Sequence, residues 1–94
     1  MNKFQITFQD GTTDTLNTKR EEVWALAVEQ ADGEHFFFST HGTRELAEKK
    51  RLSKMVRDLV AGTPHGNIDP DFTKKYLASA DRWVNAYVVE AQMI

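Results

Sequence analysis

Ser39 and His41 stand two residues apart and are the first pair in this sequence that could carry out chemistry. A serine hydroxyl becomes a nucleophile when a histidine accepts its proton, usually with a carboxylate behind that histidine. Residues two apart on a strand share a face but seldom reach this geometry, and the chain has no G-x-S-x-G turn. We therefore interpret residues 39–41 as the end of a strand and expect no catalytic residues. An enzyme with an unfamiliar site around His41 is the competing hypothesis.

The three histidines, His35, His41 and His65, could in principle gather around a metal ion, and the chain has no cysteine to supply a thiolate ligand. None of them has a histidine partner three or four residues away, as a helical metal site would use. Exposed histidines in loops and at strand ends are the simpler interpretation. We expect no metal ion and no cofactor.

Residues 67–71 repeat an oxygen-bearing side chain at every second position, the spacing of a calcium loop. The match fails because Phe72 stands where the loop needs glycine and Ala78 stands where it needs a bidentate glutamate. The same residues are explained by a helix start, with Asp69 as the N-cap and Pro70 at the first helical position. No glycine-rich phosphate loop occurs in the sequence either.

One basic cluster lies between residues 44 and 57, where six Lys/Arg stand against two Asp/Glu. On a helix over residues 43–61, Lys50, Lys54 and Arg57 share a side and could follow a phosphate backbone. A solvated outer helix face explains them equally simply, and no aromatic residue alternates with them for base stacking. The whole chain has a net charge of −2. Nucleic-acid contact is therefore the alternative hypothesis.

The stretch EHFFFST, residues 34–40, places three phenylalanines in a row. On a strand Phe37 points away from its two neighbours, either into a second core layer or to a surface that binds a partner. We expect a second core layer slightly more than a partner or dimer surface. If a partner is bound, Phe37 and Trp83 are the candidate contact residues, since aromatic side chains dominate protein interfaces.

The elements that would position these residues begin with a hairpin. Residues 3–9 alternate strictly, with Phe4, Ile6 and Phe8 on one face. Asp10-Gly11 predicts a tight type I′ turn, and residues 12–18 return as a polar, threonine-rich strand.

Residues 19–31 are compatible with two structures. As a helix they start at a Thr18…Glu21 capping box and run to Gly33. As a strand they put Trp24, Leu26 and Val28 on one face and three small residues on the other, followed by a turn at Asp32-Gly33. We prefer the hairpin, although the alanines also favour a helix.

Residues 43–61 predict one long helix, with Thr43 as the N-cap and Gly62 as the stop. A shorter helix is expected after Asp69, with Phe72, Tyr76 and Ala80 on one face. Residues 82–94 read as a strand that is apolar on both faces and therefore central in a sheet.

These elements predict a single α+β domain over residues 1–94, an antiparallel sheet of about five strands with one long and one shorter helix. We assign Phe36 and Phe38 to a main core with Phe4, Ile6, Phe8, Trp24 and the long helix. No segment approaches the length of a membrane span, and no signal sequence is evident, so we expect a cytoplasmic protein without a membrane partner.

Without catalytic, metal or nucleotide motifs, the sequence favours a small non-enzymatic protein that binds another protein or a copy of itself. A modulator or inhibitor of a host complex, encoded by a bacteriophage or a mobile element, would fit this description. The charge is uneven: residues 1–42 carry three Lys/Arg and seven Asp/Glu, while residues 43–94 carry nine and seven. Such a dipole can orient a charged partner.

Overall fold

The computed structural model describes residues 1–62 and 82–94, which form an α+β structure. The strands and helices within these residues are β1 (Asn2–Thr7), β2 (Thr13–Thr18), β3 (Trp24–Gln30), β4 (His35–His41), α1 (Arg44–Arg51), α2 (Lys54–Ala61), β5 (Trp83–Glu90) and β6 (Gln92–Met93). Residues 24–30 are therefore a strand, as the preferred hairpin interpretation predicts. The short helix expected after Asp69 lies outside the described residues.

The strands form two antiparallel sheets of three strands each, in the orders β2-β1-β6 and β4-β3-β5. The prediction of about five strands in one sheet is therefore wrong. Strand alternation reveals which side chains share a face, but it does not reveal which strands share a sheet. β5, expected at the centre of a sheet, lies beside β3 on the side opposite to β4.

The first core lies between the two sheets. Phe4, Ile6 and Phe8 fill the space above Ala25 and Ala27 of β3, where small side chains let the sheets approach closely. The other buried members are Val23 and Ala91, and Leu16, Phe37, Tyr87 and Val89 pack against the cluster. The face of Phe37 is thus covered by the first hairpin.

The second core lies between the sheet β4-β3-β5 and the helices. Leu26 and Val28, on the opposite face of β3, are fully buried with Val56 of α2. Phe36 packs here, so its assignment to a common core with Phe4, Ile6 and Phe8 is wrong. β3 is apolar on both faces because both of its faces are covered.

Both hairpins turn at an Asp-Gly pair, but neither turn is type I′. Gly11 and Gly33 each have φ of +88°, whereas no residue other than glycine has a positive φ in the described part of the chain. A type I′ turn requires positive φ at both central residues, so Asp10 and Asp32 do not form one. The Phe8 N–H bonds to the Thr12 carbonyl across a three-residue loop at 2.8 Å, and Gln30 and Glu34 repeat this at 2.8 Å.

The prediction of one long helix is wrong, because the helical conformation is interrupted at Leu52 and Ser53, between α1 and α2. Ser53 leaves the helical conformation and accepts a hydrogen bond from the Val56 N–H at 3.4 Å, which makes it the N-cap of α2. Serine competes for local backbone groups and prefers a cap to a helix interior. The N-cap Thr43 and the left-handed stop at Gly62 are confirmed.

The C-terminal strand changes sheets at Ala91. β5 pairs with β3 in one sheet, while β6 pairs with β1 in the other. Ala91 is buried between them and donates its N–H to the Val23 carbonyl at 2.9 Å. This crossing ties the two sheets together at one end.

Candidate partner-binding cleft

An open cleft of about 490 Å³ lies between the end of β4 and the outer side of α1. It is lined by His41, Leu46, Lys49, Lys50 and Ser53. The four residues from the helical segment are spaced at i, i+3, i+4 and i+7, so they share one face. We call this feature the β4–α1 cleft.

The β4–α1 cleft has one large apolar side chain in its lining and another close to it. Leu46 leaves 52% of its surface exposed, because the helix approaches the sheet through its small neighbour Ala47, which is fully buried. Phe38, on the adjacent strand, is 37% exposed. Two large exposed apolar side chains therefore lie close to a cationic rim.

A bulge in β4 lies at Phe38. Leu26 pairs with Ser39 and Ala27 pairs with Phe37, so Phe38 is an extra residue without a partner on β3. Its ring lies edge-on to Trp83 at 5.1 Å between centroids, and the Lys50 ammonium lies 5.7 Å from its centroid. Phe38 lies on the helix side, as Phe36 does, and the bulge brings Ser39 and His41 to that side as well.

The rim of the cleft is positively charged. Arg20 lies near Gly42, and its charge and that of Lys50 both act on His41. In residues 1–62 and 82–94, neither these two cations nor Lys49 has a carboxylate partner. The helix cations farther along the chain differ, since Arg51 is paired with Glu48 at 2.7 Å.

Ser39 and His41 are hydrogen-bonded, with 2.9 Å between Oγ and Nε2, which is closer than we expected from their position on a strand. Partial burial, together with the charges of Arg20 and Lys50, lowers the pKa of His41 below its ordinary value of 6.5. The imidazole is therefore neutral at pH 7 and is a weak base. Among the described residues no carboxylate bonds to it. His41 lines the cleft, and within the described part of the chain the pair has no orienting acid of the kind a catalytic triad uses.

The two aromatic residues predicted for partner contact lie mainly in the cores. Phe37 packs against the core between the sheets, and Trp83 is 8% exposed within the core under the helices. Trp83 lies on the helix side because the pairing of β5 shifts register between Glu29 and Gln30. The exposed aromatic residue near them is Phe38.

The three cations predicted for nucleic-acid contact do not form one surface. Lys50 lines the β4–α1 cleft, and Lys54 is paired with Asp58 at 2.6 Å. Arg57 lines a different cleft of about 260 Å³ beside β5. A continuous helix would have aligned these three cations on one side, but the interruption at Ser53 places Lys50 on α1 and the other two on α2.

A second polar cluster joins the first hairpin to the other sheet. The Tyr87 hydroxyl accepts a hydrogen bond from the Gln9 N–H at 3.0 Å and lies 2.8 Å from His35 Nδ1. The other ring nitrogen of His35, Nε2, lies 4.0 Å from the Asp10 carboxylate. Burial raises the pKa of Tyr87, while hydrogen bonds from Thr12 lower the pKa of Asp10. This cluster is a structural link between the sheets.

Sequence reasoning missed Phe38 and Leu46 as surface residues. The exposure of Phe38 leaves no signal in residue types, since strand alternation places it on the same face as Phe36, which packs in a core. The signal for Leu46 was its neighbour Ala47, a small residue suited to close helix–sheet contact, but the pattern alone did not decide which of the two faces the sheet.

No group of three or more His, Asp or Glu side chains in the described residues could hold a metal ion. No helix among them is long and apolar enough to cross a membrane. Comparisons with protein-family models, with curated proteins and with solved structures gave no match.

Proposed function

We propose that this chain is a small non-enzymatic cytoplasmic protein that binds another protein through the β4–α1 cleft. The observation that carries the proposal is the proximity of two exposed apolar side chains, Phe38 and Leu46, to cations that have no carboxylate partner within residues 1–62 and 82–94. Interfaces use this combination because the apolar centre supplies affinity while the charged rim selects and orients the partner.

The partner segment has an apolar anchor flanked by carboxylates. Lys49 and Lys50 line the cleft with His41, and Arg20 lies near Gly42, where its charge acts on His41. These positive charges would repel a cationic partner, and a neutral partner would supply no negative charge to pair with them. Self-association is the other protein-binding possibility, since the first half of the chain carries the excess of acidic residues.

The weak basicity of His41 supports a binding role. A general base must accept a proton from the nucleophile, and Arg20 and Lys50 disfavour the imidazolium that this would produce. The proposal extends to a modulator or inhibitor of a host complex, encoded by a bacteriophage or a mobile element. The small size and the lack of catalytic or nucleotide motifs in the sequence support this class.

Selection from a random-peptide display library tests the proposal without a known partner. The wild-type chain is compared with a double variant, Lys49→Glu with Lys50→Glu, and with a control, Lys3→Glu with Lys19→Glu, which changes the net charge equally at exposed positions elsewhere. We expect peptides rich in Asp or Glu around one large apolar residue, recovered by the wild type and the control only. Recovery of the same peptides by the cleft variant would contradict the proposal.

A second candidate function is nucleic-acid binding, because the fold brings aromatic rings beneath the cations. The Arg44 guanidinium lies 5.9 Å from the centroid of Trp24, and Lys50 covers Phe38. Base stacking on such rings is common in single-strand binding. The ion pairs of Arg51 and Lys54 weigh against this function, because their carboxylate partners already compensate the charges that would bind phosphates.

Titration with fluorescent single-stranded DNA at rising salt tests this candidate. A nucleic-acid binder loses affinity steeply between low and physiological salt, because phosphate contacts release counterions. Absence of binding at low salt would eliminate the candidate and leave the protein-binding proposal unaffected.

A further inference from the structure

Among the described strands β4 lies at the edge of its sheet, where it borders the β4–α1 cleft. In the described part of the chain β3 is its one strand neighbour, so the backbone groups on its other side have no strand to pair with. No hydrogen bond within the described residues satisfies the outward backbone groups of Phe38–His41. Such an edge can accept an added strand from another chain.

We propose that the partner segment binds in extended form, as a strand added to the edge of β4 with alternate side chains directed into the β4–α1 cleft. The inference rests on the proposed function and specifies its binding mode. Main-chain hydrogen bonds to β4 give affinity that does not depend on the partner's sequence. The cleft contacts every second side chain of the added strand and so gives specificity.

The positions of side chains on β4 support this mode. Ser39 and His41 pair with Leu26 and Trp24 and therefore face the helix side, where the cleft lies. An added strand about 4.8 Å away would project alternate side chains on that same side. They would lie beside Leu46, Lys49 and Lys50, which suits an apolar residue between acidic ones.

The bulge limits where the added strand can pair. It interrupts regular pairing between Phe37 and Ser39, so the uninterrupted edge beside the cleft is Ser39–His41. Bulges protect edge strands against unselective pairing. A partner must therefore match a short edge together with the cationic cleft, which gives selectivity to an otherwise general interaction.

The edge of β2 lacks these features. β2 is rich in threonine and largely exposed, and its one charged residue, Asp14, is acidic and has no cationic partner among the described residues. A strand with acidic side chains would gain no charge complementarity there. The charge of the β4–α1 cleft therefore selects β4 over β2 for an acidic partner.

Three synthetic peptides test strand addition. The first is blocked at both ends and has the pattern Thr-Glu-Thr-Leu-Thr-Glu-Thr, so that one face carries the acids and the leucine. The second is N-methylated at the Glu and Leu nitrogens, and the third at the internal Thr nitrogens. Because alternate N–H groups of a strand point the same way, one methylated peptide loses its bonds to β4 and the other keeps them.

Binding is followed by titration of the isotope-labelled full chain in NMR and by amide hydrogen exchange. We expect the unmethylated peptide to slow exchange at the outward amides of Ser39–His41. One methylated peptide should bind at least about tenfold more weakly than the other, which corresponds to one or two lost hydrogen bonds. As a charge control, the unmethylated peptide should bind only weakly to the double variant Lys49→Glu with Lys50→Glu.

The outcomes separate the two proposals. Equal affinity of the two methylated peptides, with unchanged exchange in β4, would overturn strand addition while binding through the cleft stands. No binding of the unmethylated peptide at low salt would overturn strand addition and the acidic-partner proposal together. Unequal affinities with protected β4 amides support both.

Discussion

Phe37 and Phe38 are neighbours in the chain, but they face different environments. Phe37 packs against the core between the sheets, and Phe38, on the opposite face of β4, lies near the surface beside Lys50. The contrast matters because Phe37 was a candidate for partner contact as well as for a second core layer. Our proposed function uses Phe38 instead.

We expect Phe37→Ser to destabilise the fold by roughly 2–4 kcal/mol, since it removes an aromatic side chain from a packed core. Phe38→Ser should cost about 1 kcal/mol, mostly from its contact with Trp83. Urea unfolding of both variants measures the difference. Equal destabilisation would show that Phe38 is as much a core residue as Phe37.

His41 makes stability depend on pH. Its pKa is lower in the folded chain than the ordinary value of 6.5, so the unfolded chain binds the proton more readily. Its contribution to stability is complete above pH 6.5 and is lost as the pH falls through the lowered folded value. His41→Gln should flatten the slope of unfolding free energy against pH just below 6.5. An unchanged slope would assign the pH dependence to other groups.

Tyr87 links the sheets through a single hydroxyl. Tyr87→Phe removes the acceptor for the Gln9 N–H and the hydrogen-bond partner of His35 Nδ1. We expect a loss of about 1–2 kcal/mol, because partly buried polar groups are left unpaired. Thermal unfolding measures the loss. An unchanged melting temperature would mean that water replaces the hydroxyl.

At the scale of elements, Ser53 decides that there are two helices. It caps α2, so Val56, Leu59 and Val60 lie against the sheet independently of α1. Ser53→Ala should destabilise the chain by about 1 kcal/mol, the usual effect of removing an N-cap. Alanine is also the best helix former, so a gain in helical circular dichroism with higher stability would instead favour one continuous helix.

The sequence predicted the elements whose signals are local. Asp10-Gly11 and Asp32-Gly33 indicated both hairpins, and Thr43 and Gly62 indicated the limits of the helical segment. These signals work because each depends on the conformation of a few adjacent residues.

The arrangement of strands and the cleft could not be predicted, because they depend on distant contacts. The small face of β3, with Ala25 and Ala27, was recognised as apolar and shared with Phe37. Its cover could have been a helix or a second sheet, and only the packing of Phe4, Ile6 and Phe8 decides it. The bulge at Phe38 arises from pairing with β3 and has no compositional signal.

At the scale of the whole molecule, the charge is small in total but concentrated in places. The chain has a net charge of −2, yet Arg20, Lys49 and Lys50 surround one cleft without carboxylate partners in the described residues. A local field of this kind raises the association rate of an acidic partner and weakens with salt. The acidic excess elsewhere in the molecule discourages unselective binding of anions.

The central claim is that the β4–α1 cleft binds a protein partner, and the most direct measurement is affinity capture quantified by mass spectrometry. Immobilised wild type, the cleft variant Lys49→Glu with Lys50→Glu, and the control Lys3→Glu with Lys19→Glu are compared in nuclease-treated host lysate after each is shown to be folded. We predict a protein retained by wild type and control and lost from the cleft variant. Retention of the same proteins by all three would contradict the claim.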